Sequence, residues 1–207
     1  MASTLLYLVR HGRVLGAESR RFIGHLDVPL SPSGEAEILA LSRRLTRAGL
    51  AAVYSSDLVR ARRSAELIAA PHNLTARIVP ALREMAMGRW EGLSAEEIQR
   101  REPEAFREWM ARIGEFPFPE GESVKDLAAR VWPAVEEILG GHLGDRITIV
   151  GHGGTNRVIL CLALGVPLER LLSFGQDYGS LSILEWTGTS WRLRLLNQTE
   201  RPAVTAS

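Results

Sequence analysis

LLYLVRHG, at residues 5–12, joins an apolar run to an arginine, a histidine and a glycine. The run from Leu5 to Val9 is typical of a buried β-strand, and Gly12 frees the backbone to turn after it. Arg10 and His11 are therefore expected at the carboxyl end of a strand, which is where open α/β sheets bind their ligands. The stretch predicts a functional site directly after the first strand.

Strand and helix patterns alternate along most of the chain. Ser31 is a helix cap followed by proline at the first helical position, and Ser123 caps a longer amphipathic helix. Strands that alternate with helices form parallel sheets covered on both faces, so we predict an α/β fold: a three-layer αβα sandwich with a mostly parallel central sheet. The predicted elements are strands at 5–9, 51–54, 78–79, 146–150, 181–186 and 191–196, and helices from Pro32 to Gly49, from about Leu58 to Ala69, from Ser123 to Gly140 and from Gly154 to Gly165.

The pattern loosens between residues 81 and 123. Ser94 and Glu97 form a capping box that begins a short helix, and a second short helix is expected at about residues 104–113. The chain has neither an internal repeat nor a low-complexity linker, so residues 1–207 are interpreted as a single domain. The segment at about 85–122 is interpreted as an insertion over one edge of the sheet, a helical lid.

The composition of the 207 residues argues against several classes of function. Basic and acidic residues number 25 and 24, so the sequence lacks the basic field that nucleic-acid binding needs. Lys125 follows Val124 rather than glycine, which excludes a Gly-Lys-Ser/Thr phosphate loop. Cys161 is the only cysteine, and there is neither a secretory leader nor an apolar run of the roughly 18 residues that a membrane span needs. We expect a cytoplasmic protein that binds no membrane.

Two of the predicted strands end in a histidine followed by glycine. The first gives Arg10-His11-Gly12, the second gives Gly151-His152-Gly153-Gly154, and a third strand ends near Arg60. If these ends converge, two imidazoles and two guanidiniums face one pocket. Paired guanidiniums match the oxygens of a phosphoryl group, so a phosphorylated small molecule is the expected ligand.

The same residues suggest how that ligand would react. A neutral imidazole beside two fixed cations can attack phosphorus, so His11 is the candidate nucleophile. The leaving group needs a proton, and Glu84 is the candidate general acid. Alternatives remain: His152 could cap a helix or bind a metal with His11, Arg60 could belong to a solvated helix face, and Glu91 competes with Glu84.

Six motifs, in this order along the chain, resemble those of the histidine phosphatase superfamily, also called the phosphoglycerate mutase-like family. A bare Arg-His-Gly is common in proteins, and it is the ordered set that makes the resemblance specific. The motifs are Arg10-His11-Gly12, Gly24-His-Leu-Asp-Val-Pro-Leu-Ser-Pro-Ser-Gly34, Ser55-Ser-Asp-Leu-Val-Arg-Ala61, Glu84 with Trp90-Glu-Gly92, Gly121-Glu-Ser123, and Gly151-His-Gly-Gly154.

The resemblance implies a mechanism and its residues. A phosphohistidine intermediate is expected on His11, with Arg10, Arg60 and His152 holding the phosphoryl oxygens. Glu84 is expected to act as general acid and then as general base. The resemblance further implies that neither a metal nor another cofactor is needed.

The remaining substrate contacts are expected around this set. Gly24 and Gly153 stand in the matching motifs and are assigned to substrate binding. Relatives often carry asparagine at the position of Ala17, so one phosphate donor is missing here. The candidates to replace it are three arginines of the same loop, Arg13, Arg20 and Arg21, of which Arg21 is assigned to substrate binding.

Three classes of function remain: a phosphomonoesterase, a phosphoglycerate mutase and a non-catalytic phospholigand-binding protein. Mutases of the family generally have a longer insertion after the acid and lack the second glycine that Gly154 supplies, so a phosphatase is predicted.

Segments 150–161 and 176–181 are most similar to α-ribazole phosphatases, which act in cobalamin nucleotide-loop assembly. A pocket lined by Phe116, Phe118 and Tyr178 would suit a flat aromatic base. Phosphoserine and a broad set of small phosphate esters are alternative substrates, and a homodimer is left open.

Overall fold

The computed structural model describes residues 3–200, in which six strands form one sheet. The spatial order is β3-β2-β4-β1-β5-β6; the first four are parallel, and β5 and β6 run antiparallel to their neighbours. The sheet is therefore mostly parallel, as the alternating pattern predicts. The strands are β1 (Thr4–Arg10), β2 (Ala52–Ser55), β3 (Arg77–Ile78), β4 (Arg146–Gly151), β5 (Leu181–Trp186) and β6 (Trp191–Gln198).

Helices cover both faces of the sheet. Adjacent side chains of β1 point to opposite faces, so Leu8 packs in the core on one side and Val9 in the core on the other. The Val9 side is covered by α1 (Pro32–Leu45) and α2 (Val59–Ala69), and the Leu8 side by α5 (Val124–Gly140) and α6 (Gly153–Leu164). This confirms the three-layer αβα sandwich.

The predicted caps hold the helix starts. Ser31 accepts a hydrogen bond from the Gly34 N–H at 3.1 Å, and Ser94 and Glu97 form the expected capping box at the start of α3 (Ala95–Arg101). Ser123 forms a second box with Asp126. Because each cap satisfies N–H groups that the helix leaves unpaired, these starts are fixed by local sequence.

The segment at about 85–122 contains α3 and α4 (Pro103–Ala111) and packs through aromatic side chains. Trp90 is fully buried, stacks on Phe116 at 5.4 Å between centroids, and meets Phe118 edge to face at 5.3 Å. Phe22, from the loop after β1, joins this group and contacts Trp109 at 5.4 Å. The segment thus shares the core on the Leu8 side of the sheet, and its action as a lid stays a prediction.

Element boundaries differ little from those expected. The helix expected at about 104–113 ends at Ala111, the strand expected at 78–79 is Arg77–Ile78, and the last strand continues to Gln198. Over residues 3–200, none of the helices combines the length and the apolar character needed to cross a membrane.

Candidate active site

Parallel pairing of β1 with β4 sets the two histidines side by side. Arg10 lies opposite Gly151 in the register, and the His11 N–H donates to the Gly151 carbonyl at 3.1 Å. The rings of His11 and His152 follow directly and lie 5.1 Å apart between centroids. The two strand ends therefore converge as the sequence predicts.

One hydrogen bond fixes the tautomer of His11. Its Nδ1 lies 2.8 Å from the Gly12 carbonyl, and since a carbonyl can only accept, Nδ1 carries the proton in the neutral ring. Nε2 then keeps its lone pair. A side chain at Gly12 would place a Cβ 2.3 Å from the Gly34 carbonyl oxygen, so glycine is required for the close approach of this turn to α1.

Burial and neighbouring cations keep the His11 ring neutral. Burial lowers the pKa of His11 well below its ordinary value, and the charges of Arg60 and Arg10 lower it further, while the bond to Gly12 opposes them. His11 nevertheless lines a cavity at these strand ends. A buried, neutral imidazole with a free Nε2 is suited to nucleophilic attack.

Arg60 is buried in the first turn of α2 and is held by the loop after β1. Its Nη1 donates to the Leu26 carbonyl and its Nη2 to the Gly24 carbonyl, each at 2.7 Å. Gly24 has a positive φ of 49°, and a Cβ there would lie 2.2 Å from Glu91 Oε1. Gly24 lines the cavity, and its carbonyl also orients Arg60.

Arg10 is held by the segment that precedes β5. Its Nη1 donates to the Gln176 carbonyl, and its Cζ lies 3.8 Å from the centre of the Tyr178 ring. The Tyr178 ring is also 5.5 Å from that of His11. Stacking on an aromatic face holds the guanidinium plane and is favourable for a cation.

His152 lies at the N-cap of α6 and is completely buried. Its Nε2 is 2.7 Å from Ser56 Oγ, and burial, followed by the charge of Arg60, lowers its pKa well below the ordinary value. Within residues 3–200, three buried nitrogens of the site have no hydrogen-bond partner: Arg10 Nε, Arg60 Nε and His152 Nδ1. The two arginine nitrogens are donors, and His152 Nδ1 is a donor when the Ser56 hydroxyl donates to Nε2, so the set is suited to an anionic ligand.

Glu84 faces the amino terminus of α6. Its Oε2 accepts from the Gly154 N–H at 3.0 Å, and its Oε1 accepts from the N–H groups of Met85 at 2.9 Å and Thr155 at 3.3 Å. A Cβ on Gly154 would lie 2.5 Å from Glu84 Oε1. The second glycine of the last motif therefore leaves room for the carboxylate.

The cavity between these groups has a volume of about 400 Å³. Arg10, His11, Arg60 and Glu84 line its polar end. Its other wall is mostly apolar and is formed by Phe22, Ile23, Met85, Met87, Trp109, Ile113, Phe118, Val124, Leu171 and Leu172. Across residues 3–200 there is no cluster of three or more His, Cys, Asp or Glu side chains able to hold a metal ion.

Comparison of the chain with known protein families agrees with this geometry. The family model described as "Histidine phosphatase superfamily (branch 1)" matches residues 6–199. The chain belongs to the histidine phosphatase superfamily. The family and the expectation of a phosphoric monoester hydrolase are thereby confirmed.

Several members of the superfamily are similar over nearly the whole chain. Phosphoserine phosphatase 1 of Hydrogenobacter thermophilus is 34% identical over 86% of this chain and 85% of its own. The solved α-ribazole phosphatase of Shigella flexneri is 26% identical, with a TM-score of 0.87 over 94% of this chain and 96% of its own. A mycobacterial glucosyl-3-phosphoglycerate phosphatase is 28% identical, with a TM-score of 0.85 over 94% of this chain and 99% of its own.

The loop arginines proposed to replace the missing phosphate donor lie in different places. Arg20 and Arg21 line the cavity that holds His11, whereas Arg13 lines a separate cavity beyond Tyr178. The guanidinium of Arg21 donates to the Gly92 carbonyl and to Glu97, both at 2.5 Å, so it is already engaged. The assignment of Arg21 to substrate binding stays a prediction.

Glu91, the competitor of Glu84 for the role of general acid, makes structural hydrogen bonds instead. Its Oε1 accepts from the His25 N–H at 2.8 Å and from the Met87 N–H at 3.0 Å. These bonds brace the two loops against each other, and Glu91 is absent from the cavity lining. Glu84 remains the candidate general acid.

The cavity lining differs from the prediction at two residues, Phe116 and Arg157. The expectation that Phe116 lines the pocket is wrong: Phe116 is 5% exposed and packs behind the wall on Trp90, whereas Phe118 and Tyr178 do line it. Arg157 was missed; it lines the cavity and donates to the Phe174 carbonyl at 2.9 Å. Its position one turn after Gly153 on a helix that starts at the site was the available signal.

Proposed function

We propose that the protein is a metal-independent phosphomonoesterase that acts through a phosphohistidine on His11. The observation that carries the proposal is the Nδ1 bond of His11 to the Gly12 carbonyl, which leaves the lone pair of Nε2 available beside Arg10 and Arg60. Arg10 Nε and Arg60 Nε supply donors for phosphoryl oxygens, and His152 Nδ1 adds a third when the Ser56 hydroxyl donates to its Nε2. Every chemical group that the route needs is present, which disfavours a purely non-catalytic role.

The reaction proceeds in two balanced steps. In the first, Nε2 of His11 forms a bond to phosphorus as the ester P–O bond breaks, and Glu84 gives its proton to the leaving alkoxide. In the second, Glu84 takes a proton from water, whose oxygen attacks phosphorus and releases inorganic phosphate from His11. Glu84 ends the cycle protonated, as it began.

The cavity wall supports an ester with an apolar or flat aromatic organic group. Phe22, Trp109 and Phe118 offer aromatic surface, and within the described lining Glu84 is the only carboxylate. Because Glu84 is assigned to proton transfer, the lining has no further carboxylate to pair with the ammonium group of phosphoserine. We propose α-ribazole 5′-phosphate as the preferred substrate of the protein. Phosphoserine and a broad set of small phosphate esters are the alternatives.

A panel of esters tests the reaction and the substrate together. Phosphate release is measured with α-ribazole 5′-phosphate, phosphoserine, 3-phosphoglycerate and an aryl phosphate, in excess chelator, for the wild type and His11→Ala. We expect hydrolysis that the chelator leaves intact and that His11→Ala abolishes, with α-ribazole 5′-phosphate first in kcat/KM. An acid-labile, alkali-stable phosphoryl group trapped on the wild type would identify the intermediate.

Other outcomes point to the alternatives. If phosphoserine ranks first, the substrate assignment is wrong while the route stands. Interconversion of phosphoglycerate isomers without net phosphate release would establish a mutase, and binding of these ligands without any turnover would establish a non-catalytic protein.

A further inference from the structure

Arg130, in the middle of α5, is bound to the segment that carries the candidate general acid. Its Nη1 donates to the carbonyls of Ala81 at 2.8 Å and Arg83 at 2.9 Å. Its Nη2 donates to the carbonyl of Glu84 itself at 2.7 Å. Through Arg130, α5 therefore binds backbone carbonyl groups that lie before and after the Cα of Arg83.

Glu122 completes the contact. Its Oε1 accepts from Nε of Arg130 at 2.6 Å and its Oε2 from Nη2 at 2.8 Å, and Oε2 also accepts from the Ala86 N–H at 2.9 Å. A guanidinium has five N–H donors, and Arg130 has five acceptors around it. We call Arg130 and Glu122 the acid clamp.

The backbone around Glu84 is held by separate side-chain and loop contacts. Residues 83–87 belong to neither a helix nor a strand, so no regular ladder fixes their conformation. Outside the clamp side chains, His25 Nε2 lies 2.7 Å from the Glu84 carbonyl, and Thr155 Oγ1 donates to the Arg83 carbonyl at 2.8 Å. The Met87 N–H donates to Glu91 at 3.0 Å, and the Glu122 N–H donates to the Ala86 carbonyl at 2.8 Å. The two clamp side chains supply three bonds to the backbone of residues 83–86, against one each from the side chains of His25 and Thr155.

We propose that the acid clamp positions the Glu84 carboxyl for proton transfer to the leaving group. Arg130 touches backbone rather than substrate, and both clamp residues are absent from the cavity lining. They are therefore positioning residues, acting through Glu84. Since a displacement of about 1 Å can cost a catalytic group on the order of 10²-fold in rate, a loosened segment would weaken the acid while the phosphate site stays intact.

Leaving-group dependence separates this role from a structural one. Loss of the acid slows release of a poor leaving group such as an alkoxide, whereas a nitrophenolate departs without a proton. For Arg130→Lys and Glu122→Gln, we measure kcat/KM, which reports the phosphorylation step, with p-nitrophenyl phosphate and an alkyl phosphate. We expect a loss of about 10- to 100-fold with the alkyl ester and less than about threefold with the aryl ester.

A matched control removes the effect of stability. Ile138→Ala removes buried apolar contacts about two turns beyond Arg130 on the same helix and leaves the hydrogen bonds of the clamp in place. We expect it to lower Tm but to leave the alkyl-to-aryl ratio at the wild-type value. Inhibition by inorganic phosphate should be unchanged in the clamp variants. An equal loss with both esters, or no loss with either, would overturn the clamp proposal.

The clamp rests on the proposed function, and the same data distinguish the two failures. If the wild type hydrolyses neither ester, or His11→Ala stays active, the proposed function fails. If His11→Ala is inactive and the wild type hydrolyses both esters while the clamp variants keep the wild-type ratio, the clamp alone fails.

Discussion

The two ends of the cavity are held by different forces. At the polar end, His11, Arg10 and Arg60 are fixed by hydrogen bonds to carbonyl groups of Gly12, Gln176, Leu26 and Gly24. At the other end, Phe22, Trp109 and Phe118 are fixed by packing around Trp90. Hydrogen bonds to backbone prescribe direction, whereas apolar packing prescribes mainly volume.

This difference separates chemistry from selectivity. The polar end tolerates little change, because each donor and ring must meet a reacting atom within a few tenths of an ångström. The apolar wall can exchange one side chain for another of similar volume and keep the fold. We therefore expect changes at the polar end to abolish turnover and changes at the wall to alter stability or substrate preference.

The largest effect is expected at the nucleophile. His11→Ala removes the attacking nitrogen and should reduce kcat/KM by on the order of 10⁴-fold or more with every ester. Circular dichroism should show an unchanged fold. A residual rate within about tenfold of the wild type would show that another group attacks phosphorus, and the comparison between the two ends would lose its basis.

The wall is tested at its centre. Trp90 is fully buried, so Trp90→Ala should lower the free energy of unfolding by about 3–5 kcal/mol, measured by urea denaturation. Trp191→Ala, at a partly buried position on the edge strand β6, is the matched control and should cost clearly less. Equal losses at the two positions would mean that the aromatic group around Trp90 is not the packing centre of the wall.

How far the sequence alone could predict this arrangement depends on the range of the interaction. The caps Ser31, Ser94 and Ser123 and the strand ends after Val9 and Val150 follow from neighbours within a few residues, and they are confirmed. The mostly parallel sheet follows from their alternation. Local patterns therefore place the polar end of the cavity.

The wall and the supports of the site depend on contacts between distant residues. Phe22 takes part in the wall where Phe116 was expected, since a loop after β1 meets the segment at 85–122 only in three dimensions. In the sequence, Arg130 and Arg157 resemble any arginine on a helix. The backbone acceptors of Arg130 lie 46 to 49 residues away along the chain, and the Phe174 carbonyl that accepts from Arg157 lies 17 residues away. No periodicity marks such partners.

A glycine at the polar end gives the next effect in size. Gly154→Ala would bring a Cβ to 2.5 Å from Glu84 Oε1, so the carboxylate must move, and kcat/KM with an alkyl phosphate should fall on the order of 10²-fold. Gly140→Ala is the matched control, because nothing lies within 4 Å of a Cβ there. If both variants keep wild-type activity, the contact between Gly154 and Glu84 does not position the acid.

The last prediction is a pH dependence of stability that arises from the two histidines of the polar end. The folded-state pKa values of His11 and His152 are lowered, by burial first and then by nearby cations, whereas the unfolded chain titrates near the ordinary value of about 6.5. Below that pH the two imidazoles bind protons in the unfolded state but stay neutral in the folded state. The free energy of unfolding should therefore be level above about pH 7.5 and fall with decreasing pH, by up to about 1.4 kcal/mol per pH unit for each imidazole.

Urea denaturation between pH 5 and 8 measures this slope, in a range above the titration of ordinary carboxylates. His11→Asn removes one of the two imidazoles and offers an amide N–H in its place, so the slope between pH 5 and 6.5 should fall by about half. Above pH 7.5 the wild-type and variant curves should run parallel. A variant slope equal to that of the wild type would mean that His11 accepts its proton in the folded state as readily as in the unfolded one, and a neutral nucleophile at the polar end would then lose its physical basis.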